Sequence, residues 1–216
     1  LKGRKPLPEK KSKGRLFIVS APSGAGKTTL CRKVVSSLPG LKFSVSFTTR
    51  QPRPGEINHR DYTFIRKEDF RMMADRGEFI EWAEVHAELY GTSKKRLEEL
   101  MDSGYDVILD IDTQGAMQIK GRYKEGIYIF ILPPSLEVLK ERLEKRMTDS
   151  REEINKRIRT ALSEIKTYTK YDYVIINRIL ENALREFEAI IISHRIRAEM
   201  IDPHWIEEQF FGQEEH

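Results

Sequence analysis

The sequence predicts an α/β fold: a parallel central sheet with helices on both faces, and a small mixed or antiparallel β lobe inserted into it. Three observations carry this expectation. Short apolar runs alternate with helical patterns, a Gly-rich turn joins the first run to the first helix, and one stretch changes to aromatic and β-branched alternation.

The apolar runs are LFIV at 16–19, VILDI at 107–111, IYIFIL at 127–132 and YVII at 173–176. Runs without polar alternation read as strands buried on both faces, as in parallel sheets. Helical patterns lie beside them, at 28–38, 93–101, 135–147 and 180–200. Strands alternating with helices predict a parallel sheet with right-handed crossovers. Ser93 is placed to cap one helix that ends at Gly104, and Pro134-Ser135 opens another. Ser150 followed by Glu153 forms a capping box for a helix whose apolar positions are Ile154, Ile158, Ala161, Leu162 and Ile165.

From 42 to 92 the pattern differs. KFSVSFTT, DYTFI and FIEWAEV are strand-like, the turn signals P-R-P-G and I-N-H-R separate the first two, and a helix at 67–76 ends at Gly77. This stretch predicts the inserted lobe.

Composition narrows the function. The net charge of +4 arises from the first fifteen residues, where seven Lys or Arg face one Glu, so the remainder carries −2. A nucleic-acid-binding body is therefore not expected, and the basic, Pro-containing tail reads as a solvated, disordered arm. The single Cys31 has no partner for a disulfide, which predicts a reducing, cytosolic setting. No apolar run approaches the ~20 residues of a membrane span.

After the first apolar run comes Ala21-Pro22-Ser23-Gly24-Ala25-Gly26-Lys27-Thr28-Thr29. A glycine-rich turn between strand and helix aims backbone N–H groups at an oligophosphate, and the helix N-terminus adds partial positive charge. Lys27 is placed to reach terminal phosphates and Thr28 to ligate Mg²⁺. Ala21 stands where the strict pattern has Gly and needs only a negative φ. Asp110 and Asp112 close the second run, where ligands of open α/β sheets bind. Asp110 suits a Mg²⁺-bound water, and Asp112, two residues on, is expected to face the same cleft.

The stretch SFTTRQPRPGE at 46–56 holds Arg50 and Arg53 between prolines that stiffen the loop. Guanidinium groups bind phosphate bidentately, and Tyr62 and Tyr90 can add hydroxyl donors.

S-x-S-x-T-T-R-x-P-R-x-G-E, D-Y-x-F, F-I-E-W-A, Y-G-T and I-L-D-I-D-x-Q-G, together with the phosphate loop, resemble guanylate kinase over residues 15–200. The resemblance implies a P-loop NTPase three-layer fold. It also implies reversible transfer of the ATP γ-phosphoryl to GMP, and to dGMP, with Mg²⁺, in purine nucleotide metabolism. It assigns Arg50, Arg53, Tyr62 and Tyr90 to the GMP phosphate, Ser46, Glu81 and Thr92 to guanine, and Asp112 to the GMP site. Residues 21–29 and Asn177 fall to ATP. A carboxylate at Glu81 accepts the two guanine N–H donors that adenine lacks on that edge. Segment 135–167 resembles the family's lid, whose Arg142, Arg146 and Arg157 neutralise the transferring phosphoryl together with Lys27. The implied layout is a core of 15–41, 94–134 and 168–207, a GMP-binding lobe at 42–93, and tails at 1–14 and 208–216. His59, Met147 and the pair Ala87-Glu88 depart from the family pattern, the first two at places where Gly is usual. A guanylate-kinase-like scaffold domain is the alternative of another class, and the intact phosphate loop argues against it. The oligomeric state is left open.

Overall fold

The computed structural model describes residues 13–85, 87–144 and 151–212. β1 (Leu16–Ser20) runs into the phosphate loop and then α1 (Lys27–Ser37), which is followed by β2 (Leu41–Phe43). β3 (Phe47–Thr48), β4 (Thr63–Phe64), α2 (Lys67–Asp75), β5 (Phe79–Val85) and β6 (Glu88–Ser93) form the inserted lobe. The chain returns through α3 (Lys94–Asp102), β7 (Asp106–Asp110), α4 (Thr113–Lys120) and β8 (Ile127–Leu132). α5 (Leu136–Glu144) and α6 (Arg151–Ile165) lead to β9 (Tyr173–Ile176), α7 (Leu180–Arg195) and the short α8 (Pro203–Ile206).

The central sheet has the order β2-β7-β1-β8-β9, and every pairing is parallel. The two-residue period of β1 sorts its side chains between two cores. Phe17 and Val19 join Leu30 and Val34 of α1 and Phe187 and Ile191 of α7. Leu16 and Ile18 join Leu97 of α3 and Ala116 and Ile119 of α4. Helices thus cover both faces, giving three layers.

The smaller sheet, β4-β3-β6-β5, is mixed: β3 pairs parallel with β4 and antiparallel with β6. Phe70 of α2 stacks on Phe79 with ring centroids 4.4 Å apart. A Cβ at Gly91 would stand 2.9 Å from the Phe70 ring, so that glycine admits the aromatic cluster.

Several expectations need correction. The run KFSVSFTT is not one lobe strand, because Lys42 and Phe43 pair with Val107 and Ile108 at the edge of the central sheet. YVII is not buried on both faces. As the other edge strand it leaves Val174 41 % and Ile176 53 % exposed, with Ile175 turned into the core. The helical pattern at 180–200 stops at Arg195 and resumes as a 3₁₀ turn at Ala198–Met200. Leu162 is 40 % exposed, whereas Ile158, Ala161 and Ile165 pack with Leu139 and Leu143 of α5. α4 was not read from the sequence. Ser150 and Met147 lie outside the described residues.

Punctuation elsewhere matches the sequence. Ser93 Oγ accepts from Arg96 N at 3.4 Å, and Ser135 Oγ accepts from Val138 N at 3.3 Å. His59 and Ala87, both at φ 64°, are the described non-glycine residues in the left-handed region. Ala21 is therefore free of such strain. Among the described residues no helix is long and apolar enough to cross a membrane.

Candidate active site

β1 and β7 are paired so that Val19 lies beside Asp110, which puts the carboxyl end of β7 next to the phosphate loop. Gly24 and Gly26 adopt φ 91° and 89°, the left-handed geometry that turns successive N–H groups inward. Lys27, on the first turn of α1, reaches across to β7. Its Nζ lies 2.6 Å from Asp110 Oδ1 and donates to Ile111 O at 2.6 Å. Burial opposes the ammonium, but the Asp110 carboxylate outweighs it and moves the Lys27 pKa upward. Thr28 Oγ1 donates to Asp110 Oδ2 at 3.1 Å, so the three groups expected around the metal and terminal phosphates form one cluster.

Residues of α5 and α6 also meet the loop. Arg157 Nη2 donates to Ser23 Oγ at 2.8 Å. Arg142 donates to Ala25 O and to Asn177 O, each at 3.2 Å. Asn177 is buried and donates from Nδ2 to Ala25 O at 2.8 Å; a Cβ at Gly26 would fall 2.5 Å from that nitrogen. Gly24, Gly26, Thr29, Arg142 and Asn177 line a cleft of about 410 Å³. Arg146 lies outside the described residues.

A second group of the expected site residues is assembled from the lobe. Arg50 Nη2 donates to both Glu56 oxygens, at 2.9 and 3.0 Å, and its guanidinium lies 5.5 Å from the Tyr62 ring centre. Glu56 also accepts from Arg53 N at 2.7 Å, which ties off the hairpin; the Arg53 side chain is exposed. Tyr62 and Tyr90 meet edge to face at 6.0 Å. Ser46, Tyr62, Thr28 and Asp110 line a second cleft, of about 390 Å³, between the lobe and α1.

Glu81 of β5, 5 % exposed, accepts from Thr92 Oγ1 at 2.6 Å. Burial pushes its carboxyl up to about 7, and the Asp112 charge adds to the rise while the Thr92 hydrogen bonds oppose it. Asp112 comes close to Glu81 for a reason other than strand alternation. It lies beyond β7 and caps α4, its Oδ1 accepting from Gly115 N at 2.8 Å. A Cβ at Gly115 would stand 2.5 Å from Glu81 Oε2, so the Gly of the Q-G pair makes room for the buried carboxylate.

The residues 13–194 match the family model described as guanylate kinase. The chain is a member of the guanylate kinase family. The guanylate kinase of Geobacter metallireducens is 52 % identical over 187 residues, covering 87 % of this chain and 92 % of the relative. That of Caldanaerobacter subterraneus subsp. tengcongensis is 44 % identical over 189 residues, covering 88 % and 92 %. The crystal structure of guanylate kinase from Anaplasma phagocytophilum superposes with a TM-score of 0.74 at 31 % identity, covering 92 % of this chain and 96 % of that one. The activity of this guanylate kinase is transfer of a phosphoryl group from ATP to GMP.

Residue-by-residue reading of the sequence missed four members of the site. Glu56 orients Arg50, and its signal was its place in the R-x-G-E motif. Gly115 was legible only as part of D-x-Q-G. Glu164 has a buried carboxylate oxygen with no hydrogen-bond partner among the described residues, the Tyr171 hydroxyl is buried next to Ser20, and both feel the charges of Lys27 and Asp112. Neither belongs to a recognisable local pattern.

Proposed function

We propose that the two clefts divide the substrates of the guanylate kinase reaction, with ATP on the side of Arg142 and Asn177 and GMP on the side of Tyr62 and Glu81. The observation that carries this reading is the buried Glu81–Thr92 pair opening beside Asp112, a few residues along the chain from the Lys27–Asp110 cluster. Glu81 as a carboxylate accepts from guanine N1–H and N2–H, Ser46 supplies a hydroxyl donor for O6, and Thr92, whose own proton goes to Glu81, holds that carboxylate in place beside the base. Adenine would leave the buried carboxylate unpaired, which disfavours AMP.

Arg50, Arg53, Tyr62 and Tyr90 hold the acceptor phosphate, and Glu56 keeps the Arg50 fork in place. Lys27 and the loop N–H groups hold the donor phosphates, with Ala21 and Pro22 carrying the chain into the loop. Arg142 and Arg157, with Arg146, bring the lid's positive charge to the transferring group. Phosphoryl transfer needs little covalent help, so this positioning and neutralisation supplies most of the rate, and the lid excludes water. Thr28 Oγ1 and Asp110, the latter through water, are the oxygen donors that would hold Mg²⁺, an ion that takes few protein oxygens and retains waters. When bound with ATP it neutralises charge on the β- and γ-phosphates. dGMP is included as an acceptor because the residues named contact base and phosphate. The lone buried Cys31 fits a cytosolic setting.

ADP formation measured with GMP, dGMP, AMP, CMP and UMP tests the reading. Turnover with GMP and dGMP far above the others is expected; a preference for AMP would overturn the role of Glu81.

A further inference from the structure

The lobe touches the core at several places; besides Arg96 Nη1 donating to Thr63 Oγ1 at 2.7 Å and Arg122 Nη1 donating to Ile80 O at 3.4 Å, it meets α4 and α1. Gln118 of α4 exchanges two hydrogen bonds with the Trp82 backbone, at 3.0 and 3.4 Å. At α1 the contact is made by the tip of the 57–62 turn. There Asp61, with only 6 % of its side chain exposed, accepts from Arg32 Nη2 at 2.5 Å. The same carboxylate accepts from Ile57 N at 2.8 Å and from Arg60 Nε and Nη2 at 3.2 and 3.0 Å. The Ile57 N–H is the largest influence holding its pKa below the usual carboxylate value, so the group is charged at neutral pH.

Each partner is one short step from reacting machinery. Arg32 lies on α1, whose first two residues are Lys27 and Thr28. Asp61 is the chain neighbour of Tyr62, which contacts Arg50 and Tyr90. Arg32, Asp61 and Tyr62 all line the 390 Å³ cleft. An α-helix is stiff over two turns, so the Arg32–Asp61 pair fixes how far the acceptor-phosphate group stands from the phosphate loop.

We propose that Arg32 and Asp61 form a positioning clasp: they hold the lobe against the phosphate-loop helix at the separation that phosphoryl transfer to GMP requires. The clasp rests on the assignment of Tyr62 to the acceptor phosphate. Both act through Tyr62 and the loop that carries it. In-line transfer needs reacting atoms about 3–3.5 Å apart, and small displacements of one partner are costly. A lobe held in place part of the time binds GMP with an apparent affinity reduced by that fraction.

Arg32 is 60 % exposed on its side chain, so Arg32→Ala leaves the fold intact and isolates the clasp. Its KM for GMP is expected to rise roughly three- to tenfold, with the KM for ATP and the melting temperature unchanged. Arg32→Lys restores most of the loss. Asp61→Asn produces a similar rise in the KM for GMP, and Arg32→Ala combined with Asp61→Asn is no worse than Asp61→Asn alone, as expected for two residues acting through one contact. An unchanged KM for GMP in Arg32→Ala, or equal rises for GMP and ATP, overturns the clasp. Tyr62→Phe separates the two claims. If its KM for GMP stays at the wild-type value, the acceptor-site assignment fails; a raised KM there beside an unchanged one in Arg32→Ala overturns the clasp alone.

Discussion

Between Ser20 and Lys27 the backbone makes the site: Gly24 and Gly26 sit at φ 91° and 89°, and the turn connects a fully buried strand to a helix. Between Ser46 and Asp112 side chains make it, drawn from β5, β6, the N-cap of α4 and the loops around β3 and β4. The proposed donor side is therefore local in sequence, and its charge is compensated within the cluster by the Lys27–Asp110 pair. The proposed acceptor side is assembled across some 65 residues and contains Glu81, a buried carboxyl raised by desolvation to about 7. A cradle of backbone N–H groups suits the triphosphate common to many donors, whereas discrimination of one base needs side chains whose burial makes a wrong partner costly.

The largest test of that division is Lys27→Ala. Loss of a preorganised charge at the transferring group is expected to lower kcat by roughly 10³-fold or more, with GMP binding, measured by calorimetry, largely retained. Equal loss of GMP affinity would show that the two sides are not separate.

Glu81→Gln comes next. The amide presents N–H groups to guanine donors, and kcat/KM for GMP is expected to fall by about 10²- to 10⁴-fold. The same variant sharpens the energetics. Folding raises the Glu81 pKa from 4.5 to about 7, so the folded state favours the protonated carboxyl. That contribution is complete below about pH 4.5 and is lost as pH rises through 7. Relative to wild type, Glu81→Gln should therefore gain stability on going from pH 4 to pH 8, by up to about 3 kcal/mol, as measured by denaturant titration. GMP affinity of the wild type should rise over the same interval, because the ionised carboxylate is the form proposed to accept from guanine. A stability difference independent of pH would contradict the raised pKa.

Arg50→Ala is expected to raise the KM for GMP by roughly 10- to 100-fold, the worth of a charge-assisted pair of hydrogen bonds, and to leave the KM for ATP unchanged. Steady-state kinetics with each substrate varied would show this. The smallest effect concerns the lobe's backbone. Ala87 occupies φ 64°, which costs a Cβ-bearing residue about 1 kcal/mol, so Ala87→Gly should raise the melting temperature by a few degrees without changing kcat. A fall in melting temperature would show that the unfolded-state entropy of glycine outweighs the strain relieved.

The amino-acid sequence determined those features whose causes are local. Apolar runs of strand length, caps such as Ser93 and the glycines of the phosphate loop each specify their own conformation within a few residues, and they specify the parallel core and the donor cradle with them. The motifs around Arg50, Glu81 and Asp112 were legible through the resemblance to guanylate kinase, since nothing in the spacing of those residues brings them together. Tertiary structure alone decided the rest. It placed Lys42 and Phe43 at the edge of the central sheet, made YVII an exposed edge strand, and turned Asp112 from a strand residue into the cap of α4. It also set Glu81 against Gly115 and Arg32 against Asp61, pairs 34 and 29 residues apart in the chain. Burial, edge position and ion pairing depend on what a segment packs against, and a single chain read in order contains the partners without their adjacency.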